Sequence, residues 1–303
     1  MRLFNPNPGR RARNSNGSLS SALASGDASL GVLRRPVALI MRTALRLLLT
    51  GYDYLVIYLG LFWLGLLCLA WTPVALIIYP LLSERRGRAF GRYVIMVVFR
   101  LYLASLSMSR RFSFDLDALD ALHDEPSLII APNHPSLLDA LMVISRLPNI
   151  ACVLKAELMS NVFLGAGARL ARFIPNTPVR RMAQQAIQDF DSGSHLLLFP
   201  EGTRTTTDRT NPLKGSIGLI AHRAQVPVQT ILIETDSTYL SKGWPLFRKP
   251  PMPIHFRLRL GRRFEPPQNT QRFMAELEHY FSHELVQGSA FYPTNSLPTQ
   301  PDR

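Results

Sequence analysis

The chain has 303 residues, of which 47% are hydrophobic, and its 34 lysine and arginine residues outnumber the 21 acidic residues by 13. This apolar fraction excludes a disordered chain, and the absence of a fixed repeat excludes a fibrous or solenoid protein. The length allows one large domain or two small ones. Two cysteines, Cys68 and Cys152, are too few for a disulfide scaffold or a CxxC-type zinc site.

The positive charge is concentrated in the first third of the chain. Residues 1–112 contain 15 arginines, no lysine and three acidic residues, whereas residues 113–303 contain 19 basic and 18 acidic residues. A nucleic-acid-binding protein would carry its basic surface on the folded domain. Here the arginines flank the most apolar stretch of the chain, which favours a membrane surface as the partner and not nucleic acid.

The N-terminal residues 1–33 are rich in Asn, Ser, Gly and Arg and have little apolar periodicity. This composition predicts a flexible basic tail. A cleaved signal peptide is not expected, because no compact apolar run and no clear small-residue cleavage site follow the first arginines.

A stretch of 28 residues without a charge, Leu55–Leu82, follows the tail. As one helix it would measure about 42 Å, which exceeds the roughly 30 Å hydrocarbon core of a bilayer. Because Pro73 and Pro80 interrupt the stretch, it predicts either a helix-break-helix hairpin in one leaflet or a single tilted span. Eight arginines flank it, and both flanks are expected to stay cytoplasmic: Arg34, Arg35, Arg42, Arg46, Arg85, Arg86, Arg88 and Arg92. Together with an amphipathic helix over 89–108, it predicts a membrane anchor over residues 34–110.

After residue 110, short apolar runs alternate with helical patterns. The runs predict strands at 127–131, 150–154, 171–174, 195–199, 229–233 and 254–260. Helical periodicity lies at 136–146, 179–190, 215–225 and about 270–286. This alternation predicts an α/β domain over residues 111–290, with a central mixed sheet flanked by helices. A proline-rich C-terminal tail over 291–303 is expected to follow.

Two polar motifs carry candidate chemistry. In the first, His134 follows a predicted strand and Asp139 lies five residues later. Histidine can accept a proton from a hydroxyl near neutral pH, and an aspartate at its other ring nitrogen would fix the tautomer. The motif is short, so a loop histidine beside a helix-capping aspartate is the competing interpretation.

The second motif, Phe199-Pro200-Glu201-Gly202-Thr203-Arg204, follows another predicted strand. Gly202 permits a positive φ or the close approach of a ligand. Arg204 offers a planar fork of donors to phosphate oxygens, and Thr203 offers a hydroxyl donor. Glu201 could orient Arg204 or contact a substrate hydroxyl. A polar turn with a surface Arg–Glu pair is the alternative.

The two motifs, in this order and with this separation, resemble those of the glycerolipid (lysophospholipid) acyltransferase family, which includes the 1-acylglycerol-3-phosphate O-acyltransferases. Lys155-Ala156-Glu157-Leu158 resembles a further family segment, and Lys214-Gly215 with Val226-Pro227-Val228 resembles the family's last block. The resemblance covers roughly residues 110–240. It implies His134 and Asp139 as catalytic residues. It also implies a substrate-binding set of eight residues, namely Asn133, Ser136, Lys155, Glu201, Gly202, Thr203, Arg204 and Lys214.

One position departs from the family pattern. The segment Arg172-Phe173-Ile174-Pro175-Asn176 has Asn176 where the family has an arginine that is implicated in holding the acceptor's phosphate. This departure weakens the case for lysophosphatidic acid as the acceptor and leaves room for another lyso-lipid.

The resemblance implies a membrane-bound O-acyltransferase of phospholipid biosynthesis. It would move a fatty acyl group from acyl-CoA or acyl carrier protein to a hydroxyl of a lysophospholipid, with no metal or redox cofactor. Its expected partners are membrane lipids, the lyso-lipid acceptor and the acyl donor, and its expected place is the inner membrane with the catalytic domain facing the cytoplasm. The alternatives are acylation of an amino-acid-linked or sugar-linked lyso-lipid, and a non-catalytic lipid-binding protein.

Overall fold

The computed structural model describes residues 19–206 and 210–287, with side chains over 39–206 and 210–285. The chain divides into two compact units, Met1–Tyr52 and Asp53–Arg303. The C-terminal tail expected at 291–303 lies outside the described residues, as do residues 1–18 of the expected N-terminal tail. Residues 19–33 of that tail are helical, because they continue without a break into the long first helix.

The first helix, α1 (Leu19–Ile78), crosses the boundary between the two units. Pro73 lies inside α1, and the helix ends only at Ile78, before Pro80. The expected interruption at Pro73 is therefore wrong, while the break at Pro80 is observed. A turn then leads to α2 (Glu84–Met108). Leu39–Ile78 and Glu84–Met108 are both long and apolar enough to cross a membrane by length and composition.

Helix α2 packs against the rest of the second unit. Arg92, expected at a membrane surface, is fully buried and donates to Asp189, 97 positions later, and to the carbonyl oxygen of Ala171. At Gly91 an added Cβ would come within 2.8 Å of the Ala171 backbone, so only glycine allows this close approach. Helix α2 belongs to the second compact unit. The boundary between the units lies between residues 52 and 53, whereas the predicted boundary between anchor and domain is near residue 110.

The sheet has seven strands in the order β1-β7-β6-β2-β5-β3-β4. Five of them are parallel to one another: β2 (Ile129–Pro132), β3 (Ile150–Leu154), β4 (Ile174–Pro175), β5 (His195–Leu197) and β6 (Val228–Thr235). The strand β7 (Ile254–Phe264) is antiparallel to β6, and β1 (Phe112–Asp115) is parallel to β7. The predicted mixed sheet is confirmed, although β1 was not predicted.

Helices cover both faces of the sheet. Because side chains alternate between the faces of a strand, Ile130 packs with α2 and with α3 (Asp139–Ile144), whereas Ile129 and Ala131 pack on the opposite face. That opposite face is covered by α5 (Val179–Phe190), α6 (Ser216–Ala224) and α7 (Thr270–Gln287). A short helix that was not predicted, α4 (Gly165–Leu170), packs on α2. The predicted α/β architecture with flanking helices is therefore confirmed.

Candidate active site

The candidate residues lie where parallel strands end. The chain leaves β2 at His134, leaves β5 at the Phe199–Arg204 motif and leaves β3 at Lys155. Since β2 and β3 both pair with β5 in parallel, these three loops emerge at the same edge of the sheet. A rigid sheet thus presents several loop side chains together, which is a common arrangement of functional residues in proteins.

His134 and Asp139 form a hydrogen-bonded pair. The Nδ1 atom of His134 lies 2.8 Å from Oδ2 of Asp139, and the same oxygen accepts the backbone N–H of Ser136 at 2.7 Å. The Asp139 side chain is 0% exposed, whereas that of His134 is 15% exposed. The predicted proximity of the two side chains is therefore observed, with the carboxylate buried and the imidazole partly exposed.

Burial governs the electrostatics of this pair. Removal from water raises the pKa of the Asp139 carboxyl to about 6, and hydrogen bonds from His134 and Ser136 offset only part of this effect. The second carboxylate oxygen, Oδ1, is buried without a hydrogen-bond partner among the described residues. An ionised Asp139 therefore has its strongest contact with His134 and stabilises a protonated imidazole there.

Phe199 fixes the plane of the His134 ring. The two ring centroids are 3.8 Å apart and the planes differ by 21°, which is a stacked arrangement. Phe199 belongs to the second motif, so it connects the two motifs directly. Its role was not predicted, because the sequence does not indicate that the two rings lie together.

Glu201 also connects the two motifs. It is buried, and its Oε1 atom accepts the backbone N–H of His134 at 3.1 Å and the hydroxyl of Thr205 at 2.8 Å. Its Oε2 atom accepts the backbone N–H of Asn211 at 2.9 Å. No contact between Glu201 and the guanidinium of Arg204 is observed among these bonds. The carboxylate holds the loop of His134 in place, and the expected contact of Glu201 with a substrate hydroxyl stays a prediction.

Two residues of the predicted substrate-binding set have structural partners instead. The side-chain amide of Asn133 donates to the carbonyl oxygen of Ile233 at 3.0 Å and accepts the N–H of Ile233 at 2.7 Å. The hydroxyl of Ser136 donates to the carbonyl oxygen of Tyr239 at 3.0 Å. Both side chains are buried. These bonds join both side chains to backbone groups about 100 positions away, and their role as substrate ligands stays a prediction.

The glycine of the second motif adopts the backbone conformation that was expected of it. Gly202 has φ +67°, a region that residues with a Cβ rarely adopt. An added Cβ would lie 3.2 Å from Cγ of Lys214, so the side chain of Lys214 runs over Gly202. Lys214 is exposed, and its backbone N–H donates to the carbonyl oxygen of Pro200 at 2.7 Å. The structure thus brings Lys214 to the second motif.

Arg204 is held by main-chain oxygens. Its Nη1 atom donates to the carbonyl oxygens of Leu240 and Ser241 at 2.8 and 2.9 Å. Thr203 is partly exposed beside it, and Lys155 is exposed at the end of β3. Nη1 carries two of the five N–H donors of the guanidinium, and the other three are on Nε and Nη2. Within the predicted set, Thr203 and Arg204 are partly exposed, and Lys155 and Lys214 are exposed.

Asn176 lies at the end of β4, next to β3. It is exposed, and its backbone N–H donates to the carbonyl oxygen of Leu154 at 2.7 Å. Because Lys155 follows Leu154 directly, the position that lacks the family's arginine is adjacent to a lysine. A positive charge is thus present on the neighbouring strand.

The site belongs to an α/β protein with a histidine–aspartate pair at the carboxyl edge of its parallel strands. Residues 114–234 match the family described as Acyltransferase. The chain is 25% identical over 204 residues to a protein of Limnanthes alba named 1-acyl-sn-glycerol-3-phosphate acyltransferase, a match that covers 65% of this chain and 66% of that protein. A protein of the same name from Pseudomonas aeruginosa is 24% identical over 180 residues, covering 57% of this chain and 68% of that protein.

The fold is similar to a crystal structure from Thermotoga maritima, that of the 1-acyl-sn-glycerophosphate (LPA) acyltransferase PlsC. The TM-score is 0.56 at 19% identity, and the similarity covers 80% of this chain and 96% of that one. These comparisons agree with the motifs: residues 114–234 match the acyltransferase family, and the predicted resemblance is confirmed over that part of the chain. The chain matches about two thirds of the length of its curated relatives.

Proposed function

We propose that this protein transfers a fatty acyl group from a thioester to the free hydroxyl of a lysophospholipid, with 1-acyl-sn-glycerol-3-phosphate as the first acceptor to test. The observation that carries the proposal is the buried Asp139 at 2.8 Å from Nδ1 of a partly exposed His134. The names of the curated relatives support the acceptor, and the acyltransferase family supports the reaction.

In this mechanism His134 is the general base. Asp139 holds Nδ1, so Nε2 is the ring nitrogen that takes the proton from the acceptor hydroxyl. The hydroxyl oxygen forms a bond to the thioester carbonyl carbon, and the C–S bond then breaks to release a thiolate. The proton held by His134 passes to that thiolate, which leaves as the thiol. A thiolate is a good leaving group because thiols have a pKa near 8.5. General-base catalysis of this kind contributes about 10²–10⁴-fold to a rate. No step requires a metal ion or a redox cofactor.

We assign binding of the acceptor's charged headgroup to the basic side chains near His134. Arg204, Lys155 and Lys214 supply positive charge at the same edge of the sheet as His134. Thr203 adds a hydroxyl donor. The exposed Lys155 directly follows Leu154, whose carbonyl oxygen accepts the N–H of Asn176, and we assign to Lys155 a contact with the acceptor's phosphate.

The apolar helices suggest membrane association, which suits a lipid acceptor and a lipid product. We place the protein at the inner membrane with its catalytic domain towards the cytoplasm, where acyl-CoA and acyl carrier protein are present. The two halves of α1 belong to different compact units, and only Asp53–Ile78 belongs to the unit that contains the site. The residues from 53 onwards are therefore treated as part of the catalytic unit.

The test is acyl transfer by the detergent-purified full chain to a panel of acceptors. Labelled acyl-CoA and acyl carrier protein thioesters are offered with lysophosphatidic acid, other lysophospholipids, and lyso-lipids linked to amino acids or sugars. The proposal predicts acylated lysophosphatidic acid as the main product and a raised KM for this acceptor in Lys155→Gln. If only a different lyso-lipid is acylated, that lipid is the acceptor, and Asn176 accounts for the departure from lysophosphatidic acid. Binding of lyso-lipids without any acyl transfer would contradict the proposal.

A further inference from the structure

The loop between β6 and β7, residues 236–253, carries an apolar tip. Leu246 and Phe247 at this tip are 46% and 68% exposed. Single exposed apolar residues are common on protein surfaces, but two adjacent large ones at the tip of a long loop are less easily explained by folding. The residues beside the tip indicate which kind of surface it contacts.

The tip lies beside the second half of α1. The hydroxyl of Tyr58 donates to the carbonyl oxygen of Phe247 at 3.3 Å, and the two rings are 5.8 Å apart. Two positions further on, the ammonium of Lys249 lies 3.0 Å from Oδ2 of the buried Asp53. A second side of α1 is exposed, and apolar residues recur there every three or four positions: Leu55, Leu59, Phe62, Leu66 and Leu69. The loop tip therefore contacts a helix that also carries exposed apolar residues.

The other end of the same loop holds the candidate active site. The carbonyl oxygens of Leu240 and Ser241 accept Nη1 of Arg204, and that of Leu240 also accepts the N–H of Leu137. Leu137, three positions after His134, is itself 51% exposed. One loop therefore joins the apolar tip to the carbonyl oxygens that hold Arg204 of the candidate site.

The charges beside the tip fit a lipid surface. Lys242 and Arg248 are exposed, and the guanidinium of Arg248 lies 5.2 Å from the ring centroid of Trp244. Basic residues next to an apolar tip and a partly exposed tryptophan are the combination that favours the boundary between headgroups and acyl chains. A second copy of the chain would need a complementary acidic surface, which this basic tip does not itself provide.

We propose that Leu246 and Phe247 enter the boundary between headgroups and acyl chains of a bilayer that contains anionic lipids, beside α1. The loop would thereby hold His134 and Arg204 near the lipid surface. The contact is made by the loop itself, in addition to any contact made by α1. It does not depend on acyl transfer, because neither residue touches His134 or Asp139 in the structure.

The experiment places a fluorophore on the tip of the full chain reconstituted in vesicles of phosphatidylcholine and phosphatidylglycerol. Leu246→Cys is labelled with a nitrobenzoxadiazole group, since Cys68 and Cys152 are both buried. We expect a blue-shifted emission, at least twofold quenching by a lipid carrying a nitroxide near its headgroup, and little quenching by aqueous iodide. The matched control is Asp124→Cys, an exposed site in the loop that precedes β2 and hence at the opposite edge of the sheet.

The labelled Asp124→Cys protein should respond in the opposite way, with quenching by iodide and not by the lipid nitroxide. The same signals are expected when His134→Ala is added to either labelled variant, so a failure of the catalytic proposal would not alter them. If the label at position 246 is quenched by iodide as strongly as the control, the tip lies in water and the proposal is wrong. Protection from both quenchers would also overturn it, because a protein contact would then cover the tip.

Discussion

The carboxylate of Glu201 accepts the backbone N–H of His134 at 3.1 Å, although the two residues are 67 positions apart. Glu201 also accepts the hydroxyl of Thr205 and the backbone N–H of Asn211. One buried carboxylate thus fixes the loop of His134 relative to the loop of Arg204. The geometry of the pair of His134 and Asp139 therefore depends on a residue that touches neither ring nitrogen of His134.

Replacing Glu201 with glutamine tests this positioning role. Glutamine has one acceptor oxygen where glutamate has two, so at least one N–H or O–H donor would face an NH₂ group. A hydrogen bond to a charged group contributes about 1.5–3 kcal/mol, so we expect Glu201→Gln to lower kcat at least about tenfold with little change in KM. Glu276→Gln, which alters an exposed pair with Arg272, should leave both constants unchanged. A raised KM with an unchanged kcat would instead place Glu201 at the substrate.

The pH dependence of the reaction should reflect the buried Asp139. Burial raises the pKa of this carboxyl to about 6, above the ordinary value near 4. The protonated form cannot stabilise the imidazolium of His134, so kcat/KM should rise as pH increases through about 6 and then level off. Steady-state rates between pH 4.5 and 8.5 would test this. An acid limb near pH 4 would show that Asp139 titrates as an ordinary carboxyl.

The raised pKa of Asp139 also makes the stability of the folded chain depend on pH. Because the pKa of Asp139 is higher in the folded chain than in the unfolded chain, its contribution to stability is fully present below about pH 4 and is lost as pH rises through about 6. The ionised carboxylate that the mechanism needs is therefore held in the folded protein at the expense of stability.

Asn133 is expected to matter for stability and not for acceptor binding. Its amide makes two hydrogen bonds with the backbone of Ile233, which tie the end of β2 to β6. Asn133→Ala would leave a buried donor and a buried acceptor unpaired, and each such group costs about 1–3 kcal/mol. We expect a lower melting temperature and a nearly unchanged KM for the folded fraction. A large rise in KM without loss of stability would instead show that Asn133 contacts the acceptor.

The ion pair between Arg92 and Asp189 should hold α2 on the domain. Both side chains are buried, and Arg92 has no access to solvent. Asp189→Ala would leave the guanidinium buried without its counter-charge, which typically costs about 3–5 kcal/mol. That loss corresponds to a fall of roughly 10 °C in the melting temperature of a domain of this size. The control is Arg146→Ala, which breaks a pair with the exposed Asp120 and should change stability by less than about 0.5 kcal/mol. Equal effects of both variants would contradict the assignment.

The sequence predicted those parts of the fold that depend on local patterns. Helix α5 has the predicted bounds, and β2, β3, β5, β6 and β7 overlap the predicted strands, because each is an apolar run between turn residues. The pairing of His134 with Asp139 was also predictable, since five residues span only a turn and the start of a helix. The four-residue strand β1 lacked such a pattern and was missed.

The remaining differences involve partners that are distant in sequence. The burial of Arg92 depends on Asp189, and the structural role of Asn133 depends on Ile233. No local pattern indicates that an arginine beside an apolar stretch will have a buried counter-ion 97 positions later. Likewise, the motif around Glu201 predicted a ligand site, and no local pattern indicated the three hydrogen bonds that Glu201 accepts from neighbouring loops. These are tertiary effects that a single sequence does not specify.

The most direct test of the catalytic assignment compares two histidines that each pair with an aspartate. His134 pairs with Asp139 at the candidate site, and His255 pairs with Asp236 at 2.6 Å on β7. Acyl transfer to the preferred acceptor would be measured for His134→Ala and His255→Ala, with free fatty acid measured in parallel. We predict at least a 10²-fold loss of acyl-lipid product in His134→Ala and a loss of less than about twofold in His255→Ala. Undiminished product from His134→Ala would contradict the central claim that this histidine is the general base.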